Sequence, residues 1–362
     1  MLGKRLGNRA LVWGAFLGIL PELDVVIFPL LDTARKLEWH HGPSHSLWVM
    51  ALGSCAIAQV LAKMWKELQI SKARMGWFVF AEFCSHLLAD CLTAEGFSVF
   101  WPIFDRRVAF NCFYHGDLLF TCPLVLSVLW LTFLKENQQK KPRGKKSAPS
   151  SKRRKLCYRG LAISVGYALL AIGMKFIASA GFDADLARRG TKYERRIQVP
   201  TPYNCLLWRA VVDRGDELWV GYRSVFESHE APVRWTVYLK CAEALSRVRE
   251  LRETKTLLAH TDGWWIARPN AKGAWLGNVR YPESRTWGSK KGMVDSRLAI
   301  SWVINPTASG DLLQKSSPSN EDPINYLQRM TERICGNNES WEANPRLAGV
   351  NGALPEFLPV EE

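Results

Sequence analysis

The sequence predicts a mainly α protein: a polytopic membrane helical bundle with about five transmembrane helices, followed by a soluble α+β domain. Three observations predict it. Five apolar runs occupy the first 180 residues, positive charge is distributed unevenly around them, and short strand-like segments follow after residue 180. At 362 residues the chain is also longer than one ordinary domain.

The apolar runs have the length of membrane-spanning helices. They lie at 11–31, 46–62, 76–94, 117–134 and 160–179, and each is close to the ~20 residues that a helix needs to span a bilayer. The first and third runs also contain titratable side chains, namely Glu22, Asp24, Glu82, His86 and Asp90. A soluble bundle of buried helices is the alternative interpretation.

Charge predicts the orientation of these helices. The chain has a net charge of +14, and residues 135–159 alone hold 11 cations against one acid. A nucleic-acid-binding domain spreads its cations over a folded face, so we expect no nucleic-acid partner. With a cytoplasmic N-terminus, the cytoplasmic segments hold 18 Lys and Arg, whereas the short outer loops hold 4. This asymmetry follows the positive-inside rule and predicts an extracytoplasmic C-terminal domain.

Composition divides the chain into five segments. Residues 1–134 are predicted to form the membrane-embedded helical domain, 135–159 a basic cytoplasmic loop and 160–179 the fifth transmembrane helix. An α+β domain is expected over 180–316, where aromatic and β-branched runs alternate with Gly, Pro, Asn and Asp. The polar segment 317–362 is expected to be partly disordered. We interpret the basic loop as a topology determinant; contact with anionic headgroups is the alternative.

Titratable residues form three motifs near the predicted outer ends of the apolar runs. The motifs are Pro21-Glu22-Leu23-Asp24, His40-His41-Gly42-Pro43-Ser44-His45, and Glu82-x-x-x-His86-x-x-x-Asp90. The spacing of four in the third motif places its side chains on one stripe of a helix. A charge at bilayer depth costs at least ~2.5–3.5 kcal/mol, so it needs compensation. Imidazole with carboxylate suits zinc and other first-row metals, while a structural hydrogen-bonded His–carboxylate pair is the alternative.

In this order, and followed by Thr93, Gly96 and Trp101-Pro102, the motifs resemble those of the YdjM-like membrane-bound metal-dependent hydrolases. The stretch Asp117–Pro123 is similar to a longer bacterial subgroup with a C-terminal extension. The chain departs from the family pattern in having Glu22 where Asp is usual and His41 where Arg is usual. The histidine that many members carry early in the first helix has no counterpart here.

The resemblance implies a metal-dependent hydrolase that acts on a phosphoester and uses a divalent metal, with zinc expected. The charge asymmetry places its site at the outer face of a bacterial inner (cytoplasmic) membrane. From that position alone, membrane lipids or a lipid phosphoester are the expected partners. The implied metal ligands are Asp24, His40, His45, His86 and Asp90. Asp24 and Glu82 are the candidate catalytic residues, and further candidates for the site are Glu22, Asp32, His41, His115 and Asp117. The alternative function is a non-enzymatic membrane assembly or envelope-stress protein with a structural His/Asp cluster.

Overall fold

The structure is a computed structural model. It describes residues 6, 8–104, 107–114, 116–133, 151–270, 273–281, 283–285, 296–298, 300–306, 313–315 and 323–341. These residues form two compact units. The first unit contains Met1–Leu30, Trp39–Phe110 and His115–Leu170, and the second contains Leu31–Glu38, Asn111–Tyr114 and Ala171–Glu362.

Apolar helices build the first unit. Helix α1 (Asn8–Ile19) continues as a 3-10 helix over Leu20–Leu30, and the short helix α2 (Thr33–Trp39) follows, mostly in the second unit. The remaining helices are α3 (Leu47–Met64), α4 (Lys72–Leu92), α5 (Leu118–Phe133) and α6 (Ser151–Arg188). Helix α6 contributes its first part to the first unit and the part from Ala171 onward to the second.

Within the described residues, four helical segments are long and apolar enough to cross a bilayer. They are Arg9–Leu30, Leu47–Met64, Lys72–Leu92 and Lys152–Arg188. With the shorter apolar helix α5 of 16 residues, these segments correspond to the five predicted runs. Large apolar side chains such as Leu52, Trp77 and Phe176 are exposed on these helices, as lipid-facing residues are. The predicted fold class of a helical membrane part before an antiparallel sheet domain is confirmed.

Helices α1, α3 and α4 share one core. Leu17, Leu61, Met75 and Phe83 are buried where these helices meet. Because lipid tails are as apolar as these side chains, close packing rather than removal from water holds such helices together. Close approach is visible at Gly14, where an added Cβ would lie 3.3 Å from a carboxylate oxygen of Glu82 on α4.

Helices α5 and α6 are joined by polar contacts. The Tyr167 hydroxyl donates to Asp117 Oδ2 at 2.7 Å, and the Ser164 hydroxyl donates to the Phe120 carbonyl at 2.7 Å. Helix α6 also begins earlier than expected, since residues 151–159 were predicted to lie in the basic loop and are helical. Lys and Arg are good helix formers, and Pro149 precedes the first turn, so the helix starts where proline no longer interrupts it.

The second unit is built mainly from antiparallel sheets. The first sheet has the order β1-β2-β3-β4, with strands Arg195–Pro200, Leu207–Asp213, Glu217–Ser224 and Trp235–Leu239. The second has the order β10-β9-β6-β5, where β5 is Trp265–Asn270, β6 Gly273–Asn278, β9 Ser301–Ile304 and β10 Leu313–Lys315. Strands β7 (Glu283–Arg285) and β8 (Ser296–Leu298) form a pair. Helices α7 (Arg252–Thr261) and α8 (Pro323–Ile334) complete the unit, and α8 lies in the segment expected to be partly disordered.

The C-terminal part of α6 packs against the first sheet. Phe182 and Leu186 are buried with Trp208 and Trp235. Among them the buried Asp185 carboxylate accepts hydrogen bonds from the Trp235 indole and the Arg189 guanidinium, both at 2.8 Å. This satisfied buried carboxylate fixes the helix on the sheet, since an unpaired one would be costly.

Candidate metal centre

Three short segments of the first unit supply the titratable side chains. The 3-10 helix Leu20–Leu30 carries Glu22 and Asp24, and the turn Pro43–His45 ends in His45. The C-terminal half of α4 carries His86 and Asp90 at a spacing of four, so both point the same way. The cluster therefore lies where the 3-10 helix, the turn and α4 meet.

Four ligand-type atoms converge in this cluster. Glu22 Oε1 lies 3.4 Å from both His45 Nε2 and His86 Nε2. Asp90 Oδ2 lies 3.1 Å from His86 Nε2 and 3.5 Å from His45 Nε2. The two Nε2 atoms are 3.2 Å apart, and all four atoms lie within 4.8 Å of one another. We call Glu22, His45, His86 and Asp90 the primary group.

The chemistry and spacing of the primary group fit a divalent metal ion. Four ligand atoms at zinc bond lengths around one ion are about 3.4 Å apart in tetrahedral geometry, close to the 3.1–3.5 Å found here. Asp90 Oδ2 is buried and accepts no hydrogen bond from the described residues. A buried carboxylate oxygen without a hydrogen-bond donor needs a cation or a missing donor beside it.

A hydrogen-bonded chain sets the tautomer of His45. The Ser44 hydroxyl donates to Asp24 Oδ2 at 3.1 Å and lies 2.9 Å from His45 Nδ1. Since the single hydroxyl proton goes to the carboxylate, Ser44 Oγ accepts from Nδ1–H of His45. The Nε2 lone pair of His45 then faces the primary group, as a metal ligand requires.

Asp24 holds the histidine segment, residues 40–45, in place. Besides Ser44, Asp24 Oδ2 accepts from the His41 backbone N–H at 3.3 Å, and both carboxylate oxygens lie 3.4 Å from His40 Nδ1. His41 has a left-handed backbone with a φ of 58°, a strained conformation that this hydrogen bond supports. These contacts are those of a positioning residue, and the role of Asp24 as a ligand or catalytic residue stays a prediction.

A second group adjoins the first. Glu22, His40 and His41 also offer ligand atoms within 4.8 Å of one another, and the two imidazoles are stacked at 3.9 Å between ring centroids. His41 Nδ1 lies 3.6 Å from Glu95 Oε2. Glu95 was not predicted, although it stands between Thr93 and Gly96 of the motif. Because Glu22 belongs to both groups, its carboxylate is the centre of the cluster.

Two histidines outside the membrane-spanning segments differ in charge state. Burial disfavours the imidazolium of His40, but the adjacent Asp24 carboxylate outweighs burial and raises the pKa of His40. The His45 side chain is 0% exposed, and desolvation lowers its pKa despite the Glu22 carboxylate. His45 is thus kept neutral, which is the form that binds metals.

Three of the predicted site residues have other surroundings, and a fourth is not described by the structure. Asp32 belongs to the second unit and pairs with Arg35 at 3.4 Å and Arg252 at 3.7 Å. Asp117 accepts from Tyr167 and from the Leu119 backbone N–H at 2.9 Å, so it caps α5. Glu82 faces Gly14, outside both groups. His115 lies outside the described residues.

Membrane-spanning helices that carry a converging His/carboxylate cluster define a membrane protein with a candidate metal centre. Residues 1–179 match the family model described as YdjM inner membrane protein, and through them the chain belongs to that family. The resemblance noted in the motifs is therefore confirmed, and the whole cluster lies inside the matched residues. No curated protein and no solved structure matches the chain.

Proposed function

We propose that this protein is a membrane-bound metal-dependent hydrolase that acts on a phosphoester. The observation that carries the proposal is the convergence of two imidazole Nε2 atoms and two carboxylate oxygens at 3.1–3.5 Å in the primary group. The buried Asp90 Oδ2 has no well-aligned hydrogen-bond donor among the described residues, although His86 Nε2 lies 3.1 Å away, and a cation between the two atoms would satisfy both.

Glu22, His45, His86 and Asp90 would hold the ion, and zinc suits two nitrogen and two oxygen ligands best. When bound, such an ion supplies positive charge beside a phosphoryl oxygen and acidifies water at neutral pH. The second group, with Glu22 shared, would hold a second ion. Two-ion sites of this kind are common in phosphoesterases.

The protein's own residues prepare the ligands. Ser44 and Asp24 keep His45 in the tautomer that leaves Nε2 free. Asp24 also fixes the backbone at His41, and Glu95 lies beside the His41 imidazole. These contacts hold the turn Pro43–His45 against the 3-10 helix that carries Glu22, so the ligand atoms stay together before any ion binds.

We further propose that the protein crosses a bacterial inner membrane several times, with the cluster on the outer face. The split of 18 to 4 cations between cytoplasmic and outer segments supports this orientation. Reporter fusions after residues 36 and 185 should then report the outer compartment, and a fusion at residue 147 should report the cytoplasm. Recovery of intact protein from the soluble fraction without detergent would contradict the proposal.

Metal content and hydrolysis, measured on the same preparations, test the function. Purified in detergent without chelators, the wild type should carry at least about one metal ion per chain and hydrolyse a generic phosphodiester. His86→Ala should lose both properties, because it removes one of the four ligand atoms. His229→Ala, at an exposed position of the second unit, is the matched control and should retain both. A wild type without stoichiometric metal would refute the proposal, and metal without any hydrolysis would favour the non-enzymatic alternative.

A further inference from the structure

We infer that the substrate is a lipid phosphoester taken directly from the bilayer. We further infer that the loop 98–104 inserts into the bilayer and so holds lipid headgroups beside the primary group. The inference rests on the proposed function, which supplies the reaction. The loop supplies the evidence that the substrate is a lipid. In the reaction, water adds across one P–O ester bond of the lipid. Its oxygen remains on phosphorus, one of its protons goes to the leaving alcohol, and the other is released from the phosphate product.

The loop presents apolar side chains to its surroundings. Phe100 is 44% exposed, Ile103 60% and Phe104 65%. Their arrangement is ordered, because the backbone N–H groups of Ile103 and Phe104 both donate to the Phe100 carbonyl and form one turn. Three large exposed apolar side chains on one turn are unusual on a water-facing loop and typical of a segment that enters a membrane interface.

The loop and Arg107, which follows it, make four hydrogen bonds to residues 40–47. The Ser98 N–H donates to the His41 carbonyl at 3.0 Å, and the Leu47 N–H donates to the Val99 carbonyl at 2.9 Å. The Ser46 hydroxyl donates to the Trp101 carbonyl. Finally, Arg107, which follows the loop, donates to the His40 carbonyl at 3.2 Å. If the loop is inserted in the membrane, these hydrogen bonds therefore also fix the depth of the histidines relative to the bilayer.

The depth of the cluster agrees with this arrangement. His86 and Asp90 precede the end of α4 at Leu92 by six and two residues, or about 9 Å and 3 Å along the helix axis. An interfacial segment lies about 5–10 Å deep at the boundary of headgroups and acyl chains. Trp48 is exposed at the start of α3, next to Leu47, whose N–H donates a hydrogen bond to the loop, and tryptophan is enriched at membrane–water interfaces. A lipid phosphate therefore reaches the primary group without leaving the bilayer.

Three variants of the full chain separate this inference from the proposed function. In the first, Phe100→Ser, Ile103→Ser and Phe104→Ser are combined; in the second, the same three positions become Leu and stay apolar. The third, Phe226→Ser, removes an exposed apolar side chain from the second unit. Each is reconstituted into vesicles of phosphatidylethanolamine and phosphatidylglycerol at about 3:1, and lipid hydrolysis products are followed by mass spectrometry. Hydrolysis of soluble bis(p-nitrophenyl) phosphate and metal content are measured in parallel.

The Ser variant should lower the ratio of lipid to soluble-diester hydrolysis about tenfold. Its metal content should not change, and its rate on the soluble diester should stay within about twofold. The Leu variant and Phe226→Ser should behave as wild type. An unchanged ratio in the Ser variant, or a wild type that hydrolyses the soluble diester and not the lipid, would overturn the inference while leaving the proposed function standing. Failure on both substrates would remove both.

Insertion of the loop can be measured without any hydrolysis. A photoreactive p-benzoylphenylalanine at position 103 should form covalent lipid adducts in the same vesicles, whereas one at position 226 should form few. Equal yields at the two positions, or none at position 103, would show that the loop does not contact the bilayer and would overturn the inference.

Discussion

Replacing Glu22 by Gln should weaken metal binding, whereas replacing Glu82 by Gln should not. Both are glutamates in membrane-spanning segments, so the two substitutions change the same chemistry at comparable depth. Glu22 Oε1 lies 3.4 Å from two imidazole Nε2 atoms. The Glu82 carboxylate faces Gly14 and has no hydrogen-bond or ion-pair partner in the part of the chain that the structure describes. A neutral amide at position 22 loses the charged ligand; the same change at position 82 leaves all four ligand atoms in place.

The expected change in Tm follows from the coupling of metal binding to folding. Loss even of a supporting residue around a metal costs about 10–100-fold in affinity, so loss of a direct ligand should cost at least about 100-fold. At a free metal concentration of about 100 times the wild-type Kd, metal stabilises the folded protein by about 2.7 kcal/mol. A 100-fold weaker site retains about 0.4 kcal/mol of this. The difference of about 2.3 kcal/mol corresponds to about 5–9 °C in Tm for a unit of roughly 150–250 residues.

The assay is the Tm of each purified variant in detergent at increasing zinc concentration, with metal content measured on the same samples. Wild type and Glu82→Gln should show the same zinc-dependent rise in Tm, and Glu22→Gln should show little. A Glu22→Gln variant with the wild-type response would refute the assignment of Glu22 as a metal ligand of the primary group. Equal losses in both variants would point to a general effect of removing a carboxylate from these helices.

Two further predictions concern a tautomer and a helix contact. Ser44→Ala should lower zinc affinity by about 10–100-fold in competition with a chelating dye, because the donor chain that sets the His45 tautomer is broken, while Ser85→Ala should have no effect. Gly181→Ala should destabilise the second unit by about 1–3 kcal/mol, because its Cβ would clash with the Arg223 side chain. On the same helix Gly173→Ala has open space and should be neutral or stabilising in thermal unfolding, and equal effects at the two positions would contradict this reasoning.

The fold could be predicted for two kinds of segment: strands with one buried face, and helices that are apolar over the thickness of a membrane. Aromatic and β-branched runs bounded by turn residues predict strands at 218–226, 233–239, 264–268 and 298–304, and strands β3, β4, β5 and β9 lie there. Strand β2 (Leu207–Asp213) was missed: all seven of its residues are buried, so polar and apolar positions do not alternate. Arg209 is itself buried and donates to the Val279 carbonyl at 2.8 Å, a contact that only the tertiary structure supplies.

The candidate site could be predicted by region but not by role. The motifs selected the right segments, yet Glu22 and Asp24 are two residues apart and point in different directions on a helix. Glu22 rather than Asp24 meets His45 and His86, which depends on the 3-10 geometry of Leu20–Leu30 and on the longer Glu side chain. Glu95 could not be found from spacing, because the turn after α4 brings it to His41.

The carboxylates of the cluster need positive charge beside them, which a bound cation can supply. Four carboxylates, those of Glu22, Asp24, Asp90 and Glu95, lie within 3.6 Å of imidazole nitrogens. Uncompensated charge at this depth is costly, and protons on the histidines would offset it in part. The buried His45 opposes protonation, because desolvation lowers its pKa. One divalent ion balances the carboxylates of Glu22 and Asp90 while leaving His45 neutral, so the contacts that make the cluster tolerable in a membrane are those that would bind the metal.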